Sequence, residues 1–123
     1  MQGFIEDVAK KAKENTYFRQ VLETGMHTQI VIMSIPVGGE IGEEVHDDTD
    51  QVLYIVEGEG RVVLNGEEKA FKAQDIILVK SGVVHNFINT DRQDLKIITM
   101  YSPPHHPAGI IHKTKEEAAL ATY

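Results

Sequence analysis

The chain has 123 residues, 41% of them hydrophobic and 25% charged, which is enough for one globular domain with a single core. Its net charge of -7 argues against nucleic-acid binding, because phosphate-seeking surfaces need clustered Lys and Arg. It has no cysteine, which excludes disulfides and thiolate metal ligands and fits a cytoplasmic protein. We expect no membrane association, since every apolar run is too short to cross a bilayer and residues 1–11 lack a signal peptide's apolar core.

Periodicity predicts a helix followed by a β-rich region. Apolar residues at helical spacing predict a short amphipathic helix over about 4–15. Eight β-rich runs bounded by turn signals then predict a barrel region over about 17–102: 17–23, 28–35, 51–58, 61–65, 68–73, 75–80, 83–89 and 95–101. Asn65-Gly66 is the strongest turn signal, because two-residue hairpins prefer this dipeptide. Eight strands without intervening helices indicate an antiparallel sandwich or barrel.

The C-terminal region, 103–123, has a different pattern. The stretch "SPPHHPAGIIH" is too proline-rich for a strand and predicts an extended surface segment. Thr114 and Glu117 have the spacing of a helix-capping pair, so a short helix should follow. No repeat or linker divides residues 1–123, and we expect a single domain.

An acidic stretch, "EEVHDDTDQ" at residues 43–51, precedes a buried run. Glu44 and His46 are two residues apart and would face the same side of an extended chain, and Gln51 can rejoin that inward face. His85 could add a second imidazole from a distant strand. These four side chains suit a divalent first-row metal. By spacing alone, an exposed acidic strand end explains the stretch equally well.

Two longer segments resemble the paired sequence motifs of the cupin superfamily. "GGEIGEEVHDDTDQVLYIVEGEG" resembles the first motif, and "AQDIILVKSGVVHNFIN" resembles the second, with Gly82, His85 and Asn89 in register. The similarity covers about residues 26–101. It implies an all-β jelly-roll barrel of two antiparallel sheets, with a metal or small-molecule pocket at one end of the barrel, and a homodimer. The helical patterns add a short helix at each end of the chain.

The chain departs from the cupin motifs in an informative way. Glu44 stands where the first motif has its first histidine, and Gln51 stands where it has glutamate; Ala73 and Lys80 replace the second motif's glycine and proline. One carboxylate is still retained, so the resemblance implies one divalent metal (Zn, Mn, Fe, Ni or Co). The expected ligands are Glu44, His46, Gln51 and His85. The expected pocket wall is Met33, Leu53, Ile55 and Phe87.

Three functions remain open. Small cupins of this type are often called mannose-6-phosphate isomerase-like, which implies a metal Lewis acid acting on a sugar phosphate or another small polar molecule. A ligand-binding or sensing module without turnover is the second. The third is a non-haem Fe(II) dioxygenase, because Glu44, His46 and His85 alone form a two-histidine, one-carboxylate set.

The remaining polar candidates are expected on the surface. His105 and His106 are predicted to be exposed in the tail; the alternative is that the tail covers the barrel mouth and supplies one of them as an acid or base. His27 and His112 are also predicted on the surface. Arg19, Arg61 and Lys80 are predicted to be exposed, with phosphate binding as the alternative.

Overall fold

The computed structural model describes residues 2–121, which form nine strands and two short helices. In chain order they are α1 (Val8–Glu14), β1 (Arg19–Thr24), β2 (Gln29–Ile35), β3 (Asp50–Glu57), β4 (Glu59–Leu64), β5 (Glu67–Lys72), β6 (Ile76–Val79), β7 (His85–Asn89), β8 (Leu95–Ser102), β9 (Ile111–His112) and α2 (Lys115–Ala119). The expected domain 1–123 includes Met1, Thr122 and Tyr123, which lie outside the described residues. Within the described part, both helices are far too short to span a membrane.

The strands form two antiparallel sheets. One sheet has the order β6-β3-β8-β2-β1-β9 and the other has the order β5-β4-β7. All strand pairs are antiparallel. The predicted all-β jelly-roll barrel of two antiparallel sheets is confirmed.

Alternation along the strands decides which side chains fill the barrel. In β3 every second residue from Gln51 to Ile55 is buried, and in β7 His85, Phe87 and Asn89 are buried while their neighbours are partly exposed. A strand places successive side chains on opposite faces, so these buried residues line one interior. The main core lies between the two sheets. The site residues of β3 and β7 therefore face each other from different sheets.

The outer face of the six-stranded sheet is covered by α1. Ala12 packs against Ile32 and Ile98 in a second apolar cluster. The helix begins at Val8, four residues later than predicted, because the Asp7 side chain accepts a hydrogen bond from the Lys10 amide and so caps it.

Two local predictions are confirmed by backbone geometry. Asn65 and Gly66 have φ values of 48° and 84° and connect β4 to β5 in a tight hairpin, as a two-residue turn with positive φ requires. Thr114 is the N-cap of α2, and its hydroxyl accepts a hydrogen bond from the Glu117 amide.

Candidate metal centre

The two motif segments meet at one end of the barrel. Glu44 and His85 form an isolated antiparallel bridge, in which each backbone N–H donates to the other's carbonyl at 2.9 and 2.8 Å. The His46 carbonyl accepts from the Gly82 amide at 2.7 Å. This pairing holds the acidic stretch against the start of β7, so that side chains distant in sequence become neighbours.

Three of the four predicted ligands are adjacent. The Glu44 carboxylate oxygen Oε2 lies 3.6 Å from His46 Nε2, and the ring centroids of His46 and His85 are 5.2 Å apart. His46 and His85 are 7% and 3% exposed, whereas the Glu44 side chain keeps 29% of its surface. The expectation that Glu44 and His46 share a side is consistent with this contact.

Hydrogen bonding fixes which nitrogen of His85 is available. His85 Nδ1 lies 2.9 Å from the Val83 carbonyl oxygen. A carbonyl only accepts hydrogen bonds, so in the neutral ring Nδ1 carries the proton and Nε2 keeps its lone pair. This is how metal-binding imidazoles are commonly oriented.

Gln51 is held on the opposite sheet. Its amide nitrogen donates to the Thr99 hydroxyl at 3.0 Å and to the Tyr101 hydroxyl at 3.1 Å. These bonds fix the amide orientation, and the side-chain oxygen Oε1 is left buried without a hydrogen-bond partner. Thr99 and Tyr101 were not among the predicted site residues, although they share strand parity with the buried Ile97.

The proline-rich tail lies over the barrel mouth. Gln29, fully buried, accepts from the backbone amides of His105 and His106 and donates to the His106 carbonyl. The predicted exposed position of His106 is wrong, because this anchoring leaves it 6% exposed. The His105 ring is half-buried and lies 4.3 Å from the His46 ring, between centroids. The alternative expectation, a tail that covers the mouth, is therefore the one the structure supports.

Burial lowers the pKa of His46 and of His105 and so favours the neutral form of both rings. Burial lowers the pKa of His46 from 6.5 to about 4, assisted by the nearby charges of His105 and His85. Burial also lowers the pKa of His105, with Glu44 opposing the shift. Neutral imidazoles are the form that binds metals and accepts protons.

Two further surface predictions are wrong. His112 is 6% exposed because β9, which the sequence did not indicate, pairs it with Arg19 in β1. Arg19 is itself only 5% exposed, and its Nη1 lies 3.3 Å from His112 Nδ1. The burial of Arg19 could have been predicted from the strand pattern. Arg19 lies two residues before the buried Val21, so both side chains point to the same face of β1. His27 and Arg61 are exposed, as predicted.

The donor atoms suit a metal ion in type, and one pair also suits it in spacing, although no complete site is assembled. Among residues 2–121, no three His, Asp or Glu side chains form a ready-made metal cluster. Nevertheless, His46 Nε2 and Gln51 Oε1 are buried with no hydrogen-bond partner. Two donors bound to one tetrahedral ion at about 2.0–2.1 Å lie about 3.3 Å apart, close to the 3.6 Å between Glu44 Oε2 and His46 Nε2.

The expected pocket-wall residues belong to the main core of the barrel. Met33, Leu53, Ile55 and Phe87 are all fully buried in the main core. The Phe87 ring lies 6.2 Å from the His85 ring, between centroids. Their contact with a ligand stays a prediction.

Comparison with known proteins identifies the family. Residues 31–101 match the family model described as the cupin domain, and the chain belongs to this family of small-molecule-binding or catalytic barrels. The uncharacterized protein YrkC of Bacillus subtilis is 37% identical over 124 residues, which cover 96% of this chain and 67% of YrkC. The crystal structure of BH2720 from Bacillus halodurans is also 37% identical, with a TM-score of 0.94 over 96% of this chain and 94% of that protein. A predicted oxalate decarboxylase from Thermotoga maritima is 30% identical over 60% of this chain and 64% of its own, with a TM-score of 0.58.

Proposed function

We propose that this cupin is a divalent-metal-dependent enzyme that moves a proton on a small hydroxy-carbonyl compound, in the manner of a sugar-phosphate isomerase. The observation that carries the proposal is the buried, unpartnered His46 Nε2, 3.6 Å from the Glu44 carboxylate and beside His85. A buried polar atom without a hydrogen-bond partner costs free energy, so its retention favours a bound ligand.

His46, His85, Glu44 and Gln51 would hold the metal. A divalent ion would supply Lewis-acid polarisation of a carbonyl or hydroxyl oxygen there. Gln51 is oriented for this by its two donated hydrogen bonds, which turn Oε1 away from Thr99 and Tyr101. The set suits Zn, Mn, Fe, Co or Ni, and the residues alone do not select among them.

His105 is the group placed to move the proton. Its ring lies against that of His46, and burial lowers its pKa, so the imidazole is a neutral base at pH 7. It would take the proton from the carbon that bears the hydroxyl and return it to the former carbonyl carbon, while the hydroxyl proton passes to the former carbonyl oxygen. Stacking of His105 against Tyr101, with the rings tilted by 27°, holds the imidazole over the site.

A second candidate is a binding module without turnover. The observation in its favour is that His46 and His85 are almost fully buried beneath the tail, which limits the size of any ligand that reaches them. No contact in the described residues favours a dioxygenase over these two.

The first experiment is elemental analysis of the purified full chain and of two variants. Glu44→Ala should lose stoichiometric metal, whereas Glu43→Ala, which removes an exposed neighbouring carboxylate, should keep it. Equal metal content in both variants would remove Glu44 from the site. Absence of metal from the wild type even after loading would refute the proposal.

Turnover is tested by exchange with heavy water. The metal-loaded chain should introduce deuterium from solvent at the carbon next to the carbonyl of a hydroxy-aldehyde such as glyceraldehyde 3-phosphate. His105→Asn should abolish the exchange and keep the metal. Bound metal with no exchange on any sugar phosphate would favour the binding module, and oxygen uptake would favour the dioxygenase.

The homodimer remains a proposal that rests on one exposed edge. Ile76 and Leu78 on the edge strand β6 are 69% and 52% exposed, and an edge strand with apolar side chains is a natural pairing surface. Light scattering should give twice the chain mass for the wild type and the monomer mass for Leu78→Lys.

A further inference from the structure

Arg19 is a buried cation with no acidic partner among residues 2–121. Its side chain projects into the barrel from β1, paired in register with the core residue Met33. Among residues 2–121, no carboxylate oxygen lies within ion-pair distance of it. Its Nη1 faces His112, while its Nε is buried and has no hydrogen-bond partner.

This arrangement is unfavourable for the protein on its own. A charge removed from water is costly unless an opposite charge and hydrogen bonds replace the solvent. His112 offers Arg19 one acceptor nitrogen and no formal negative charge. Stacking of the guanidinium on the Phe18 ring, at 5.2 Å, offsets only part of that cost. The arrangement is explained if a ligand completes it.

The space beside Arg19 reaches Glu44, one of the four proposed metal ligands. Arg19 and Glu44 both line a cavity of about 170 Å³, together with Phe18, Ile41 and Lys115. That volume is about that of five or six waters in the liquid, which is ample for a carboxylate or phosphate group. Lys115 adds a second positive charge to the wall.

We propose that Arg19 binds the anionic group, a carboxylate or phosphate, of the molecule held at the metal centre. The Nε edge of a guanidinium matches the two oxygens of such a group in a forked pair of hydrogen bonds, and in Arg19 the Nε has no other partner. The substrate is then a small hydroxy-carbonyl compound that carries a carboxylate or a phosphate, with its oxygens divided between Arg19 and the metal. The binding of the substrate to a metal rests on the proposed function. The binding of an anion by Arg19 does not.

The test uses three small probes on the full chain loaded with Mn²⁺: glycolate, inorganic phosphate and glycolamide. Glycolamide has the shape of glycolate without its charge. Isothermal titration should show that Arg19→Gln weakens at least one anion by about 30-fold or more, the loss typical of removing one partner of a buried charge pair. Glycolamide should bind the wild type and the variant equally.

The matched control is Arg61→Gln. Arg61 is a half-exposed arginine on β4 paired with Glu68, so its loss should leave all three affinities unchanged. The anion that depends on Arg19 identifies the group, glycolate for a carboxylate and inorganic phosphate for a phosphate. Equal affinity of both anions for wild type and Arg19→Gln, or failure of both to bind the wild type, would overturn the proposal.

Two further measurements keep the outcomes distinct. Arg19→Gln should retain the wild-type metal content. If the wild type itself takes up no metal, the proposed function fails. The same titrations on the metal-free chain then still decide whether Arg19 binds anions. If Arg19→Gln does not fold, Arg19→Lys replaces it, and about a tenfold loss of anion affinity is expected because lysine lacks the fork. An unchanged affinity in that variant would also overturn the proposal.

Discussion

Replacement of His106 with leucine should reduce the acid sensitivity of the metal-free protein. Burial lowers the pKa of His106 from 6.5 to about 2, and the charge of Arg19 acts in the same direction. Between these two values the unfolded chain binds one more proton at this position than the folded chain. Stability is therefore full above pH 6.5 and falls as the pH decreases, by about 1.4 kcal/mol per pH unit.

The magnitude follows from the pH interval. From pH 7.5 to 5.0, His106 alone should cost the wild type about 2 kcal/mol of unfolding free energy. Urea unfolding followed by circular dichroism, in EDTA at both pH values, gives that free energy. His106→Leu should lose about 2 kcal/mol less than the wild type over the same interval, whatever its absolute stability.

The control for His106→Leu is His27→Leu. His27→Leu also removes one histidine, but from an exposed position, and its pH dependence should match the wild type. If His106→Leu loses as much stability as the wild type, the burial of that imidazole beneath the tail is not what makes the fold acid-sensitive.

Three other changes test separate parts of the structure. Gln51→Glu adds a negative charge where the amide oxygen is buried, and it should tighten metal binding. A competition titration with a chelator measures this, and an unchanged metal affinity would mean that Gln51 does not touch the ion. Gln29→Ala removes the tail's anchor, and it should speed hydrogen exchange at the His105 and His106 amides, seen by NMR; exchange at the wild-type rate would show that the tail is held by other contacts. Gly60→Ala places a methyl group against the Ile88 carbonyl and the Phe71 ring, and it should lower the free energy of unfolding by about 3 kcal/mol or more in urea. Gly3→Ala, in open space, should lower it much less. Similar losses in the two variants would contradict that packing.

The strands were predictable because local and tertiary preferences agree in them. Alternating apolar residues in β3 and β7 match the face that the barrel buries, and Asn65-Gly66 already favours the hairpin conformation. Adjacency of Glu44, His46 and His85 was likewise anticipated, because the paired motifs carry fold information beyond local spacing. The ligand role of those residues is still a prediction.

The tail and its partners were not predictable from local pattern. The proline content indicated an exposed segment. The burial of the tail depends instead on Gln29, which lies 76 positions from His105 and whose side-chain amide binds the tail backbone. No periodicity in the sequence marks that contact. β9 has only two residues, and it forms by pairing with the free edge of β1. Arg19 was judged by the usual exposure of arginine, and tertiary burial overrode that preference.

The central claim is that His46 and His85 bind one metal ion. Anomalous diffraction at the zinc edge from crystals grown with Zn²⁺ locates such an ion without reference to activity. We expect a peak about 2.0–2.1 Å from Nε2 of both histidines. Zinc found only at surface residues such as His27, with none between these two rings, would contradict the account.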